Sequence, residues 1–250
     1  MLTEERHKII LEVLQEKKLA KINELVEITN TSESTIRRDL TFLESINALK
    51  RIHGGATLPK GRLLELSYGE KEIQSVDEKR VIAKYAATLI EDGDSVYLDA
   101  GTSTFEIIQF IDKKNIVVVT NGLKHINALV ENNINCYILG GKVKSTTKAI
   151  IGIDALKNLE KFRFDKCFLG INGIHLQYGF TTPDSEEAIL KESAIKHSRE
   201  TFVLADEGKF GEVSFVKVAD LGKATIITNS KTEDHEGYSK KTKVKVVTEE

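Results

Sequence analysis

The chain has 250 residues, of which 30% are charged and 40% hydrophobic, and its formal net charge is −2. This length allows about two domains of ordinary size, and the composition is typical of a soluble globular protein with a real core. The near-neutral charge excludes a protein that holds nucleic acid through a generally basic surface, so any DNA-binding surface must be local.

Targeting and redox features are few. No apolar run follows basic residues at the N-terminus, and no stretch approaches the roughly 20 apolar residues of a membrane span. Cys136 and Cys167 each lie inside an apolar run, where buried free thiols are expected rather than a disulfide or a metal pair. We therefore predict a cytoplasmic protein that contacts no membrane. With no cysteine cluster and no His-x-x-x-His pair, we predict no metal site.

The first 46 residues show helical spacing of apolar side chains in three segments. They predict helices at about Thr3–Lys18, near Ile22–Thr29, and after a polar turn that ends at Ser32. The apolar face of the third helix is formed by Ile36, Leu40, Leu43 and Ile46. Ser32 or Ser34 can cap this helix, because a hydroxyl accepts a hydrogen bond from a free backbone N–H. This arrangement is typical of a helix-turn-helix, which presents its last helix to DNA.

The polar side of the third helix and the segment after it carry residues suited to DNA. Arginine pairs bidentately with guanine, and basic and hydroxyl groups hold phosphates. Residues 1–60 hold ten basic and nine acidic residues, but from Thr35 to His53 four bases face only two acids. Residues 48–56 predict a basic hairpin, the wing of a winged helix-turn-helix. The candidate DNA-binding residues are Ser32, Ser34, Thr35, Arg37, Arg38, Thr41, Lys50, Arg51 and His53. The helix alone is equally compatible with a solvated charged face.

Periodicity is lost from Pro59 to about Ser75, which predicts a linker at 59–75 between domains at 1–58 and 76–250. In the second domain, helices are predicted at Val76–Ile90, Phe105–Ile111, before Glu131, at Asp154–Leu159 and at Pro183–Arg199. Strands are predicted between them at Ser95–Asp99, Asn115–Thr120, Ile134–Leu139, Asp165–Gly170, Thr201–Ala205, Ala224–Thr228 and Lys243–Thr248. This alternation is typical of an α/β fold with a mostly parallel sheet that helices cover on both faces.

Ligands bind open parallel sheets at the carboxyl ends of the strands, and here those ends are rich in glycine and hydroxyl groups. Residues 99–104 follow a strand and open a helix, so backbone N–H groups and hydroxyls can form an anion site. Residues 120–122 and 140–142 repeat the pattern, and the three loops together predict phosphate binding. For the first loop alone, a capped turn without a ligand is the alternative. Neither Walker nor GxGxxG spacing is present, which disfavours nucleotide hydrolysis and dinucleotide cofactors; we predict no cofactor.

Two later segments add candidate ligand-binding lysines, and each lysine also has a purely structural interpretation. Lys209 follows a predicted strand and could supply a fixed positive charge to a phosphate or a hydroxyl; the alternative is a surface lysine. Lys191 lies on the helix at Pro183–Arg199, where it could form a solvated face with Glu187 and Glu192, with Glu187 and Lys191 as an i,i+4 pair. Both interpretations stay open from the residues alone.

Residues about 4–57 resemble the DNA-binding domain of the DeoR family of bacterial transcriptional regulators, through EERHKIILEVL, SESTIRRDLTFLE and ALKRIHGGA. Roughly 75–250 are similar to the effector domain of that family, through DAGTST, VVTNG, LGG, FDKCFLGINGI with GFTT, EEAILKES and TFVLADEGKFG. The resemblance implies a domain similar in fold to ribose-5-phosphate isomerase and glucosamine-6-phosphate deaminase. It also implies phosphate binding by the Gly-Thr-Ser-Thr loop, and a sugar-phosphate site that includes Asp206 and Lys209.

The sequence departs from the family pattern at two places. Asp206-Glu207-Gly208-Lys209 lacks the hydroxyl of the Asp-x-Ser-Lys that many members have. Lys142 and Lys144 stand where an arginine often follows the glycine pair. Because both departures touch the predicted site, the identity of the sugar stays open. The predicted effector-binding residues are Asp99, Gly101, Thr102, Ser103, Thr104, Thr120, Asn121, Gly140, Gly141, Lys142, Asn172, Gly173, Lys191, Asp206 and Lys209.

We therefore predict a DNA-binding transcriptional regulator, a repressor of a sugar-metabolism operon whose operator affinity changes when a phosphorylated sugar binds the second domain. A homo-oligomer, dimer or tetramer, is expected because symmetric operators need one recognition helix per half-site. The alternative is a sugar-phosphate isomerase or deaminase with a helical appendage. In the isomerases, paired carboxylates occupy the loop that corresponds to Gly170–Ile174, whereas this loop has Asn172 and no carboxylate to act as a base. We therefore predict no enzymatic activity. In a third hypothesis, the second domain only oligomerises.

Overall fold

The computed structural model describes residues 2–17, 19–46, 48–52, 54–58, 61–63, 65–229 and 234–248. The chain divides into two compact units, Met1–Gln74 and Ser75–Glu250. In the described part of the chain, no helix is both long enough and apolar enough to cross a membrane.

The first unit contains the three predicted helices and a small antiparallel sheet. In chain order its first six elements are α1 (Thr3–Lys17), β1 (Leu19–Lys21), α2 (Ile22–Thr29), α3 (Glu33–Ser45), β2 (Lys50–Ile52) and β3 (Gly55–Thr57). The apolar residues at helical spacing are buried in one core, which includes Ile10, Leu14, Leu25, Ile36 and Leu40. As predicted, the Ser32 hydroxyl caps α3, accepting a hydrogen bond from the Thr35 backbone N–H over 3.3 Å.

The predicted hairpin is present, but it is part of a larger sheet. Strand β3 pairs with β2 on one side and with β1 on the other, so the order is β1-β3-β2. Strand β1, between the first two helices, was not predicted, because three residues are too few to show alternation. The sheet gives the wing a second attachment, since β1 connects α1 to α2.

A short helix lies in the segment that we predicted as a linker. Helix α4 (Tyr68–Glu72) belongs to the first compact unit. Its start is closed by a capping box, in which the Ser67 hydroxyl accepts the Glu70 N–H and the Glu70 carboxylate accepts the Ser67 N–H. Five residues are too few for a helical period to be visible in the sequence.

The second unit is an α/β domain. Its elements are α5 (Val76–Thr88), β4 (Ser95–Leu98), α6 (Thr102–Ile107), β5 (Val117–Thr120), α7 (Leu123–Glu131), β6 (Asn135–Ile138), β7 (Lys142–Lys144), β8 (Ala149–Ile151), α8 (Ile153–Leu159), β9 (Phe164–Gly170), β10 (Gly173–His175), β11 (Gly179–Thr182), α9 (Ser185–Lys196), β12 (Ser198–Leu204), β13 (Val216–Ala219), β14 (Thr225–Thr228), α10 (His235–Ser239) and β15 (Val244–Val246).

Seven of these strands form one parallel sheet in the order β15-β14-β12-β9-β4-β5-β6. Apolar clusters cover both of its faces, since side chains of a strand alternate between the two sides. The predicted parallel α/β sheet is therefore confirmed. Two small antiparallel sheets, β7-β8 and β10-β11-β13, were not predicted. Their strands have three or four residues, which is too few to show alternating hydrophobicity in the sequence. The strands instead depend on close contact between backbones, since a methyl group on Gly179 would lie 2.3 Å from the Ala219 carbonyl oxygen.

The order of the strands indicates where a ligand crevice is expected. From β4 the chain proceeds to β5 and β6 on one side of the sheet, whereas β9, β12, β14 and β15 follow on the other. The direction of winding therefore reverses between β4 and β9, which are neighbours. Open α/β sheets bind ligands outside the carboxyl ends of the strands at such a point, and here the loops 99–104 and 170–172 lie there.

In the first unit, a buried carboxylate on α3 joins this helix to α1. Asp39 accepts two hydrogen bonds from Arg6, of 2.5 and 3.1 Å, and its Oδ1 lies 3.1 Å from His7 Nε2. The carboxylate beside it raises the pKa of Arg6. His7 also stacks on Phe42, with ring centroids 5.1 Å apart. These contacts fix the rotation of α3 about its axis, and hence the residues that it exposes.

Replacing Asp39 tests this attachment. We expect Asp39→Asn to lower the local free energy of unfolding of α3 by about 3 kcal/mol, because it leaves the Arg6 charge buried without a counter-charge. Hydrogen exchange of the α3 amides measures this change separately from the second unit. Glu33→Gln is the control, since it removes only the exposed pair with Arg37 and should cost less than about 0.5 kcal/mol. Equal effects of the two substitutions would contradict the attachment.

Candidate functional site

Helix α3 exposes most of the residues that we predicted to face DNA. Ile36, Asp39, Leu40 and Leu43 are buried, whereas Ser32, Ser34, Arg37, Arg38 and Thr41 are exposed and Thr35 is half-buried. The exposed side chains follow the spacing of one helical side. The surface is therefore polar, hydroxyl-rich and locally positive, as a helix that enters a DNA groove requires.

The two arginines of α3 differ in their surroundings. The Arg37 guanidinium donates to Glu33 Oε1 from Nη2 and Nε, over 2.6 and 2.9 Å. Among the described residues, no hydrogen bond or ion pair is recorded for Arg38. An exposed i,i+4 pair is worth only about 0.3–0.5 kcal/mol, so Arg37 can leave Glu33 at little cost. Arg38 is available without any rearrangement.

The wing is tied to α3 through Arg51. Its Nη1 donates to Thr41 Oγ1 over 2.7 Å, and its backbone N–H donates to Glu44 Oε1 over 2.8 Å. The Thr41 hydroxyl in turn donates to the Arg37 carbonyl over 2.8 Å. Lys50 is exposed on the same strand. The structure thus brings β2 against α3, while the predicted His53 lies outside the described residues.

In the second unit, Asp99 connects three elements at the point where β4 and β9 end: its own loop, the loop after β9, and α9. Its Oδ2 accepts the backbone N–H of Gly170 over 3.2 Å and forms a buried ion pair with Lys191 of α9. A methyl group on Gly101 would lie 3.5 Å from the Gly170 Cα, so the two loops touch. The interpretation of Lys191 and Glu187 as a solvated face is wrong, because both are buried. Glu192, by contrast, pairs with Lys196 on the solvent side.

Thr104 holds the first loop in place. Its hydroxyl donates to the Asp99 carbonyl, 2.5 Å away, and accepts the Gly101 N–H over 3.0 Å. Its oxygen also lies 3.2 Å from His125 Nε2. Since the hydroxyl proton is used by the carbonyl, we assign the proton of this bond to His125 Nε2. The fully buried Thr104 therefore holds the backbone of the loop in place, and its hydroxyl is used within the protein and is not directed to a ligand.

His125 is a structural residue that we did not predict. Burial lowers its pKa to about 3, so the imidazole is neutral at physiological pH. Among the described residues its Nδ1 has no hydrogen-bond partner. Its ring lies against Gly122, where a methyl group would be 2.3 Å from Nδ1. The sequence gives only a weak signal for it, a histidine three residues after the glycine of VVTNG.

Asn121 ties the first and second loops together. Its Oδ1 accepts hydrogen bonds from the Ala100 N–H, over 2.9 Å, and from the Tyr97 hydroxyl, over 3.1 Å. Its Nδ2 donates to the Ile150 carbonyl over 3.2 Å. The neighbouring Thr120 hydroxyl accepts the Gly122 N–H over 3.0 Å. Both side chains are buried, and they shape the loops without being exposed to the crevice.

Lys142 and Lys144 of β7 both lie beside carboxylates at the start of α9. Lys144 Nζ lies 2.8 Å from Asp184 and 3.3 Å from Glu187, and this charge lowers the pKa of Asp184 in spite of its partial burial. The Thr147 hydroxyl donates to Glu187 over 2.6 Å. Lys142 is 3.5 Å from Glu186 at the start of α9. The β7-β8 hairpin is therefore attached to α9 by charge, which the sequence could not indicate.

The third group of predicted residues lies at the ends of β9 and β12. Lys209 Nζ is 3.8 Å from Asp206 Oδ2, which is longer than a hydrogen bond, and the Lys209 side chain is 29% exposed. The Asn172 Oδ1 accepts the Thr182 hydroxyl over 3.0 Å. Gly173 begins β10 and is buried. Lys209 is thus the cation of this group that can turn toward a ligand.

The predicted residues divide into three sets by their position. The first set is buried. Within the hydrogen-bond and ion-pair network it includes Asp99, Thr104, Thr120, Asn121 and Lys191, and outside that network it includes Thr102, Gly173 and Asp206. Gly101, Ser103, Asn172 and Lys209 are half-buried, and Gly140, Gly141 and Lys142 are exposed. Sequence reasoning missed Tyr97, His125, Lys144, Thr147 and Glu187 as members of the network. Among the described residues, no three His, Cys, Asp or Glu side chains form a metal-ligand group.

The buried neutral His125 predicts a pH dependence of stability. Its pKa in the folded state, about 3, is below the value near 6.5 of an unfolded chain. The unfolded state therefore binds the extra proton, and this contribution is intact above pH 6.5 and is lost as the pH falls toward 3. It amounts to about 1.4 kcal/mol per pH unit, or roughly 2 kcal/mol between pH 6.5 and 5.

The variant His125→Gln tests this effect, because an amide keeps a donor and does not titrate. Urea unfolding of both proteins at pH 7 and pH 5 should show a smaller loss in the variant by about 2 kcal/mol. Between pH 7 and 8 the two proteins should show the same pH dependence, which is the internal control. If acid destabilises both equally, the neutral buried state of His125 is wrong.

Two families match this chain, one over each unit. Residues 6–62 match the DeoR-like helix-turn-helix domain, and residues 74–230 match the DeoR C terminal sensor domain. The chain is 51% identical, over 99% of both chains, to the HTH-type transcriptional regulator FruR of Bacillus subtilis (strain 168), whose name carries the qualifier uncharacterized. It is 34% identical to the regulator GlpR of Haloferax volcanii, over 94% of this chain and 92% of that protein.

A third relative is the lactose phosphotransferase system repressor of Staphylococcus epidermidis, 33% identical over 94% of this chain and 93% of that protein. Among solved structures, the ribose 5-phosphate isomerase A of Methanocaldococcus jannaschii covers 54% of each chain at 15% identity, with a TM-score of 0.40. That score is too low to support an argument about activity. The full-length relatives are regulators, so the enzyme alternative is set aside. The chain belongs to the DeoR family of helix-turn-helix transcriptional regulators.

Proposed function

We propose that this regulator represses sugar-metabolism genes by placing α3 in the major groove of operator DNA, and that a phosphorylated sugar bound in the second unit changes its affinity for that DNA. In this proposal Arg37 and Arg38 read base edges. The hydroxyls of Ser32, Ser34 and Thr35 and the bases of the wing hold phosphates. The protein acts in the cytoplasm as a homo-oligomer, because a symmetric operator needs one recognition helix per half-site.

The observation that carries the effector proposal is the reversal of strand order between β4 and β9. Loop 99–104 lies at this reversal and contacts Gly170, where α/β sheets bind their ligands. Ser103 and the backbone N–H groups of the loop can hold phosphate oxygens. The loop is already fixed by Asp99, Thr104 and Asn121, so little ordering is required when the ligand binds.

In this proposal Lys209 is better placed to bind the phosphate than the other lysines are. Lys191 and Lys144 are held by buried or half-buried carboxylates, and moving them would leave those carboxylates unpaired. Lys209 is only loosely paired with Asp206. When Lys209 turns to a phosphoryl group, Asp206 becomes free to accept hydrogen bonds from sugar hydroxyls. The name of the staphylococcal lactose repressor supports a sugar-derived effector.

The coupling between the two units is a linkage between two binding equilibria. If the sugar phosphate prefers the arrangement of the protein that does not fit the operator, it weakens DNA binding, and DNA weakens sugar binding by the same factor. Catalysis is not needed for this function. The loop that would need a base offers Asn172, whose side chain already accepts the Thr182 hydroxyl.

The DNA part is tested by Arg38→Ala. We expect its affinity for the operator to fall by 1–3 kcal/mol, roughly 5- to 150-fold, because one bidentate base contact is lost. Fluorescence anisotropy with a DNA fragment recovered by footprinting upstream of the regulated genes measures this loss. The matched control is Arg163→Ala, which removes an exposed arginine of the second unit. Unchanged affinity in Arg38→Ala and in Arg37→Ala would place the recognition surface elsewhere.

The effector part is tested by Lys209→Ala in a thermal-shift screen of sugar phosphates, each beside its unphosphorylated sugar. A sugar phosphate at 100 times its Kd should stabilise the wild-type protein by about 2.7 kcal/mol. The variant should show no such shift and should retain wild-type operator affinity.

Lys217→Ala is the matched control for Lys209→Ala. Lys217 also pairs with an aspartate three residues away, Asp220, but it lies on β13. This variant should respond to the sugar phosphate as the wild type does. A response that survives in Lys209→Ala would remove Lys209 from the site, and the absence of any shift with every sugar phosphate would contradict the effector proposal.

A further inference from the structure

The seven-stranded sheet has two edges that differ in charge and polarity. Strand β6 lies at one edge and β15 at the other, and within the described chain neither pairs with a further strand on its outer side. A free edge presents unpaired N–H and C=O groups and is a template for another strand. Proteins protect such edges with charge, above all with lysine, or use them for association.

The β15 edge is protected against its own copy. Lys243 and Lys245 are both exposed there, and Lys245 Nζ lies 5.0 Å from the centre of the Tyr85 ring. Two copies of this edge in antiparallel register would bring lysines of the same charge together. Like charges directly opposite each other destabilise strand pairs.

The β6 edge has the opposite character. Its four residues, Asn135-Cys136-Tyr137-Ile138, carry no charge. Tyr137 is 52% exposed and Ile138 is 40% exposed. Because neighbouring side chains of a strand point to opposite faces, both faces of this edge offer apolar surface to water. Exposed apolar side chains along a free strand edge favour association with another chain.

Two further exposed apolar side chains lie on the elements that follow β6 in the chain. Val143 of β7 is 50% exposed and Ile153, the first residue of α8, is 60% exposed. The connection from β6 to β7 packs on α8, since a methyl group on Gly141 would lie 3.1 Å from the Ala155 Cβ. The Tyr137 ring lies 5.7 Å from the ring of Phe162, which follows α8. We call Tyr137, Ile138, Val143 and Ile153 the β6 patch.

We propose that the β6 patch is the interface through which two copies of this chain associate, with the two β6 strands paired antiparallel about a two-fold axis. A strand paired with its own copy satisfies a two-fold axis, because residue i meets residue j and residue j meets residue i. No like charges meet, since the strand has none. This inference rests on the proposed oligomer, and it identifies which surface forms it.

The size of the interface explains why the flanking residues are needed. A stable interface buries about 800 Å² of each partner, and four residues of strand span only about 13 Å. Val143 and Ile153 supply the additional apolar contacts beside the strand. The joined sheets would contain fourteen strands, and the crevice at β4 and β9 would stay open, since β5 lies between β6 and β4.

The test is the dissociation constant of the full chain, measured by sedimentation equilibrium for the wild type, Tyr137→Lys and Val143→Lys. Each variant puts a charge into the β6 patch at an exposed position, so the fold is retained, as circular dichroism and the melting temperature will show. We expect the wild type to be dimeric or larger, and the dimer to weaken at least tenfold in both variants. Tyr178→Lys is the matched control, because Tyr178 is similarly exposed but lies between β10 and β11.

Wild-type dissociation constants in both charged variants would overturn the β6 interface, and so would a wild-type protein that is monomeric at tens of micromolar. The same weakening in Tyr178→Lys would also overturn it. A thermal shift by sugar phosphate on the same samples separates this proposal from the effector proposal. If the variants dissociate and no sugar phosphate binds, the interface stands and the effector proposal fails. If sugar phosphate binds and the variants stay dimeric, the interface alone fails.

Discussion

The buried ion pair between Asp99 and Lys191 is the constraint on which the second unit's site depends. Asp99 directly follows strand β4, and Lys191, 92 residues further along the chain, lies on α9. Removing two charges from water costs several kcal/mol per ion, so such a pair is weak support for stability. Its value is geometric, since neither partner can move without leaving a buried charge uncompensated. The Gly170 N–H, bound to the same carboxylate, brings in the β9 loop.

This constraint separates residues that shape the site from residues that can bind a ligand. The side-chain oxygens of Thr104 and Asn121 are used within the protein, so they fix the backbone of the first two loops. In the proposed site, the groups left to bind a ligand are backbone N–H groups, Ser103 and the loosely held Lys209. A site fixed in this way loses little conformational freedom on binding, and it can turn binding energy into a change in the rest of the protein. The first unit follows the same logic, because buried Asp39 fixes α3, whose opposite side carries the residues that we propose contact DNA.

The sequence predicted the helices and the parallel strands well, because amphipathic and buried elements leave periodic signals. It failed for β1, for the β7-β8 hairpin and for β10, β11 and β13, whose few residues show no period and depend on partners distant in the chain. For the site, the candidate loops could be predicted because glycines and hydroxyls follow strands, and their role in binding stays a prediction. The individual roles could not be found, since Asp99 meets Gly170 across 71 residues and His125 meets Thr104 across 21. The interpretation of Lys191 as part of a solvated charged face was wrong because tertiary packing buries its side chain.

In the proposed mechanism, sugar phosphate and operator DNA favour different arrangements of one protein. The most direct test measures the Kd of the active sugar phosphate for the free regulator and for the regulator saturated with operator, together with the operator Kd with and without that sugar phosphate. The account predicts that both constants change by the same factor, of about 5 to 150. Equal affinity of the sugar phosphate for the free and the DNA-bound protein would contradict it.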